Sequence, residues 1–134
     1  MSENINQTQA KKYILVMEDD KFYGNIFQTK LTEEGFDVTV ATDGEKGLEE
    51  ASKRKPDLIL LDLIMPIKDG FEVLKFLKES ATLKDVNIII ISNLGQEDDV
   101  NKALAMGAVD YLIKANISLQ EAVDKVKKYF NDKA

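Results

Sequence analysis

A chain of 134 residues with 44% apolar and 31% charged side chains has enough material for one hydrophobic core and no room for a second domain. It contains neither cysteine nor histidine, which excludes disulfides, thiolate metal sites and any chemistry carried by a thiol or an imidazole. A net charge of −6 disfavours direct nucleic-acid binding and attraction to anionic lipid, and no apolar run reaches membrane-spanning length, so the expectation is a soluble cytoplasmic protein.

Residues 1–11 are polar and aperiodic and read as a flexible tail, leaving residues 12–131 as the folded domain. The first apolar run, Tyr13 to Met17, reads as a strand and ends in Glu18, Asp19 and Asp20. Asp20 is placed to cap the helical stripe Phe22, Ile26, Phe27 and Leu31. Val38 to Ala41 forms the second strand, and Leu48 with Ala51 marks the second helix. Leu58 to Leu61 is a third strand ending in Asp62. After it, Asp69-Gly70 is expected to make a turn and nothing more before the stripe Phe71, Leu74 and Leu77. Ile88 to Ile91 leads into Ser92. Glu97, Asp98 and Asp99 then open the helix of Val100, Ala103 and Leu104, where negative charge suits the dipole. Tyr111 to Ile113 ends in Lys114, and Leu119, Ala122, Val123, Val126 and Phe130 line one side of a final amphipathic helix.

Five strands alternate with five helices, and three of the strands are nearly continuous apolar runs, the pattern of strands covered on both faces. The fold class that follows is α/β, an open, doubly wound, parallel five-stranded (βα)5 sheet with right-handed crossovers. Ligands of such sheets bind beyond the carboxyl ends of the strands. There the chain places Glu18, Asp19 and Asp20, then Asp62, Ser92 and Lys114. Neighbouring carboxylates repel one another unless a cation sits among them, and hard oxygen ligands suit Mg²⁺. With the cation present, one carboxylate can act as nucleophile toward phosphorus, while Lys114 neutralises charge on the transferred oxygens and Ser92 hydrogen-bonds one of them.

Four motifs stand in order at the strand ends: Ile14-Leu15-Val16-Met17-Glu18-Asp19-Asp20, Asp62-Leu63-Ile64-Met65-Pro66 with Asp69-Gly70, Ile91-Ser92-Asn93, and Tyr111-Leu112-Ile113-Lys114. Together they resemble the receiver domain of two-component response regulators, of the stand-alone, CheY-like kind, from about Lys12 to Phe130. The resemblance implies a flavodoxin-like strand order 2-1-3-4-5. It implies that Asp62 is the phosphoacceptor, served by a histidine kinase or phosphotransfer protein. Glu18, Asp19, Asp62 and the Ile64 carbonyl would hold Mg²⁺ (or Mn²⁺), Lys114 would pair with the phosphoryl group, and Ser92 with Tyr111 would report phosphorylation. A downstream protein effector, or a second copy in a phosphorylation-dependent dimer, would dock on the fourth helix, fifth strand and fifth helix. The chain would then be a signalling switch that catalyses only its own phosphorylation and dephosphorylation.

The sequence departs from the family pattern at Ala115, where a proline usually follows the lysine, and at Ile64 and Leu94, apolar at positions often polar in the family. Ala115 predicts a trans bond after Lys114, because a cis bond without proline costs about 3 kcal/mol. Ile64 and Leu94 predict slow self-dephosphorylation. Two rival readings follow from the same residues. One is a phosphorylation-independent pseudo-receiver that serves as an interaction module. The other is a haloacid-dehalogenase-like phosphatase, disfavoured because Ile64 stands where such enzymes carry a second aspartate.

Overall fold

A computed structural model describes residues 11–133, so the expected tail lies, Lys11 apart, outside the described residues. The elements follow as β1 (Tyr13–Met17), α1 (Lys21–Glu33), β2 (Asp37–Ala41), α2 (Gly44–Lys53), β3 (Leu58–Leu61), α3 (Gly70–Glu79), β4 (Asn87–Ser92), α4 (Glu97–Ala105), β5 (Asp110–Ile113) and α5 (Leu119–Lys133). A single 3-10 turn, Lys114–Asn116, joins β5 to α5. The five strands pair in parallel in the order β2-β1-β3-β4-β5, as the resemblance implied. The register aligns Met17 with Leu61 and Leu61 with Ile90, so β1, β3 and β4 run out toward the same edge of the sheet.

The period-two alternation of the strands divides the core into two layers. Leu15, Met17, Ile59, Leu61, Ile88 and Ile90 face Val73, Leu74 and Leu77 of α3, Leu48 and Ala51 of α2, and Ala103 of α4. Ile14, Val16, Leu58, Leu60, Ile89 and Ile91 face Phe27 and Leu31 of α1 and Ala122, Val123 and Val126 of α5. Both faces of the central strands are therefore dry, which is why β1 and β3 are apolar at every position. The stripe expected on α1 holds at Phe27 and Leu31, but Phe22 is 63% exposed. Phe22 lies in the first turn of α1, directly after the Asp20 cap. Among the described residues no helix is long and apolar enough to cross a membrane.

The ends of the sheet are built differently. At the amino end of β1 the Asp57 carboxylate accepts the Tyr13 N–H at 2.7 Å. The Arg54 guanidinium lies 3.9 Å from the centre of the Tyr13 ring and bonds Asp37 at 2.7 Å. At the opposite end helices begin on side-chain caps: Asp20 accepts the N–H of Phe22 at 2.8 Å, and Asp43 that of Lys46 at 2.8 Å. Asp69 does more than start a turn. It forms a reciprocal capping box with Glu72, its Oδ1 accepting the Glu72 N–H at 3.0 Å while Glu72 Oε1 accepts the Asp69 N–H at 3.3 Å. The missed signal was the Asp-x-x-Glu spacing.

Gly70 is fixed by close approach of the backbone. Its N–H bonds the Leu63 carbonyl at 2.9 Å, and a Cβ there would stand 2.4 Å from Leu63 Cα and 2.5 Å from the Asp62 carbonyl oxygen. Neither neighbour is the free end of a flexible side chain, so the loop carrying Asp62 would have to shift. Gly70→Ala is expected to destabilise the fold by about 1–3 kcal/mol. Urea unfolding checks this, with a wild-type midpoint in the variant as the contrary result.

Candidate functional site

Because Met17 and Leu61 are register partners, the residues that follow them leave the sheet side by side. The Glu18 N–H still bonds the Ala41 carbonyl at 2.9 Å and the Asp62 N–H the Met17 carbonyl at 3.0 Å, so both backbones are held by the ladder. Lys114 leaves β5, two strands from β3, and its long side chain spans the end of β4 to reach both carboxylates. Its ammonium stands 2.6 Å from Glu18 Oε1 and 2.9 Å from Asp62 Oδ2. All three side chains are buried. No peptide bond among the described residues is cis, and the turn that starts at Lys114 still delivers the ammonium to Asp62 with Ala115 behind it.

The remaining carboxylate oxygens are oriented by backbone donors. Asp62 Oδ1 accepts the Ile64 N–H at 3.0 Å, and Glu18 Oε2 accepts the Asp20 N–H at 3.1 Å. Glu18 Oε1 is fully buried against the Lys114 ammonium at 2.6 Å. Burial pushes the Glu18 carboxyl up to about 7, and the nearby Asp62 charge adds to this against the opposing pull of Lys114. Burial alone would push the Lys114 ammonium down, but hydrogen bonds to Glu18 and Asp62 outweigh it and hold the group above the ordinary lysine value.

Oxygens of Glu18, Asp19 and Asp62 lie within 4.8 Å of one another, Asp19 exposed and the other two buried. One ammonium does not balance three carboxylates. The excess negative charge and the all-oxygen donor set fit a small divalent cation held by these residues. Together with Asp20, Ile64, Asn93 and Lys114 they line a cleft of about 200 Å³.

Other residues singled out in the sequence take different places. Asp20 borders the cleft while serving as the cap of α1. Ser92 is fully buried at the end of β4, and its Oγ accepts the Leu94 N–H at 3.3 Å; the residue that lines the cleft at this strand end is Asn93. Asn93 carried no sequence signal beyond following Ser92. Tyr111 is half-buried and its hydroxyl donates to the Leu94 carbonyl. Ile64 is 53% exposed at the cleft, whereas Leu94 packs against the core.

A family model of the response regulator receiver domain matches residues 14–127. The alkaline phosphatase synthesis transcriptional regulatory protein PhoP of Bacillus subtilis is 38% identical over 103 residues, covering 77% of this chain and 42% of that protein. The response regulator PleD of Caulobacter vibrioides is 38% identical over 101 residues, 75% of this chain and 22% of that protein. The chain thus spans less than half the length of these curated relatives. Among solved structures, the receiver domain of the Francisella response regulator 1452 superposes with a TM-score of 0.83 at 31% identity, covering 92% of this chain and all (100%) of that one. The Mn²⁺-bound form of the response regulator Rcp1 gives 0.80 at 27% identity, over 89% and 94% of the two chains. With its sheet order, its acidic cluster and its lysine all at the strand ends, the chain belongs to the response regulator receiver domain family, the switch domains of two-component signalling.

Proposed function

We propose that this receiver domain takes a phosphoryl group from a histidine kinase or phosphotransfer protein onto Asp62, in a reaction that needs Mg²⁺ or Mn²⁺, and signals through an altered docking surface. The observation that carries this reading is the Asp62 carboxylate beside the Lys114 ammonium at 2.9 Å, in a cleft it shares with Glu18 and Asp19. An Asp62 oxygen attacks phosphorus, the bond from phosphorus to the donor atom breaks with its electron pair leaving on the donor, and an acyl phosphate results. Glu18, Asp19, Asp62 and the Ile64 carbonyl would hold the cation, which when bound supplies positive charge opposite the transferred oxygens. Lys114 serves the same oxygens from the other side. The Mn²⁺-bound form of Rcp1 supports this choice of metal.

The Leu94 peptide is held at both its polar atoms, its N–H by Ser92 and its carbonyl by Tyr111. Rotation of the Ser92 hydroxyl toward a phosphoryl oxygen would weaken its hold on the Leu94 N–H and loosen the loop at that point. This loop leads into α4, which with β5 and α5 is the docking face for a downstream effector or a second copy. The pseudo-receiver reading leaned on Ala115, and Lys114 stands within hydrogen-bonding distance of Asp62 with that alanine in place.

Intact-mass measurement after incubation with a small phosphodonor tests the central step. A Mg²⁺-dependent phosphoryl adduct is expected in the wild type and none in Asp62→Ala; an adduct that persists in the variant removes Asp62 as acceptor. Lys114→Ala is expected to slow adduct formation about 100-fold, the scale on which loss of one charge-stabilising donor acts. Apolar Ile64 at the cleft predicts slow loss of the phosphoryl group. In a decay time course Ile64→Asn should shed it several-fold faster, and equal lifetimes would show that this side chain does not govern water entry.

The Tyr111 phenol is pushed up to about 12 from an ordinary 10, by burial first and then by the charges of Asp99 and Asp62. The fold therefore favours the protonated hydroxyl. Its contribution to stability is complete below pH 10 and declines between about pH 10 and 12, where the unfolded chain ionises and the folded one does not. Alkaline ultraviolet titration is expected to show a late tyrosinate transition whose amplitude falls by one tyrosine in Tyr111→Phe, Tyr129 being pushed up by burial as well. An unchanged late transition in that variant would assign it elsewhere.

A further inference from the structure

The carboxylates of Glu18 and Asp62 account for two sides of the Lys114 ammonium, and an aromatic ring covers another. The Lys114 Nζ lies 4.3 Å from the centre of the Tyr23 ring, within the range at which the negative face of a phenol ring attracts a cation. We infer that Tyr23 is a positioning residue for the phosphoryl-transfer reaction, holding the Lys114 ammonium between Glu18 and Asp62 and keeping water from it. This inference rests on the reading of Asp62 as phosphoacceptor proposed above.

The ring is itself fixed from two directions. Tyr23 occupies the first turn of α1, where its N–H bonds the Asp20 side chain at 3.4 Å, so the residue that caps the helix also anchors the backbone that carries the ring. Below it, Tyr23 stacks on Phe27 with centroids 6.3 Å apart and planes 27° from parallel, and Phe27 is 1% exposed in the core. Phe22 meets the Tyr23 ring edge-on at 5.6 Å. An aromatic column thus rises from the α1 side of the core to the lysine. Its chemistry suits the place. A third carboxylate would draw the ammonium away from Asp62 and add to charge that already needs a cation. A ring attracts the ammonium through its quadrupole and adds no net charge.

The test joins a spectroscopic readout with a kinetic one. In the wild type the ε-methylene protons of Lys114, assigned by their loss in Lys114→Arg, are expected at upfield, ring-shifted positions. Tyr23→Leu should return them to ordinary lysine positions and Tyr23→Phe should keep them shifted. With a small phosphodonor at saturating Mg²⁺, Tyr23→Leu should form the adduct about 5- to 10-fold more slowly and Tyr23→Phe within about 2-fold of wild type. Mg²⁺ affinity, followed by amide shifts around Asp19, should be the same in all three. Loss of packing by itself would lower Mg²⁺ affinity along with the rate, so a slowed rate at unchanged affinity, with the Lys114 protons back at ordinary positions, separates the two roles. If Tyr23→Leu fails to fold, Tyr23→Met replaces it. Unshifted Lys114 protons in the wild type, or a wild-type adduct rate in Tyr23→Leu, would overturn the inference. Failure of the wild type to form any adduct would instead count against the phosphoacceptor reading, and the proton shifts would still decide whether the ring holds the lysine.

Discussion

One ammonium buried against two carboxylates sets the terms for the rest of this domain. Taking such charges out of water costs several kcal/mol per ion, and their attraction offsets that cost only when the partners are held in close geometry. The holding is done far from any side-chain flexibility: Glu18 and Asp62 sit on backbones still bonded into the sheet, and both central strands are covered on each face by helices. Lys114 alone arrives on a long chain, and it is the member met by the most contacts, two carboxylates and a ring. The hydrophobic layers do not merely stabilise the fold; they fix the distances on which a local charge imbalance depends.

In the proposed switch, that imbalance is also what would make the site responsive. Three carboxylates beside one lysine leave a deficit of positive charge that a divalent cation would satisfy, and a phosphoryl group would replace one carboxylate with a dianionic acyl phosphate needing the same cation and the same lysine. The neighbouring Leu94 peptide, clasped by two hydroxyls, lies one strand end away from this exchange. A change of charge at Asp62 and a change in this loop would thereby be neighbours, without either having to cross the core.

Much of this was legible in the sequence because periodicity is a direct record of burial. The continuous apolar runs of β1, β3 and β4 could only be two-sided strands, and the residue after each run had to stand at the sheet's carboxyl edge, which located Glu18, Asp62 and Ser92 in advance. The sequence could not show the direction a side chain takes once there. Ser92 turns to its own loop and leaves the cleft wall to Asn93, a choice made by the backbone after β4. Tyr23 was invisible as a partner of Lys114 because 91 positions separate them and only the sheet order brings α1 beside the end of β5's side chain. Phe22 looked like core by its spacing and is solvent-facing, because position in the first turn overrides a stripe that begins beyond the sheet.

The fastening of β1 at its amino end has a mechanical meaning. Asp57 grips the first amide of the strand while Arg54 spans from the Tyr13 ring to Asp37 on β2, so strand and both flanking connections are riveted at the end opposite the cleft. At the cleft end the side-chain ties across strands are Lys114, which spans to Glu18 and Asp62, and the Tyr111 hydroxyl on the Leu94 carbonyl. The domain is thus a plate clamped at its base and tied at the cleft margin by two long side chains, so a displacement of Lys114 would bear on the loops of that margin before it reached the base.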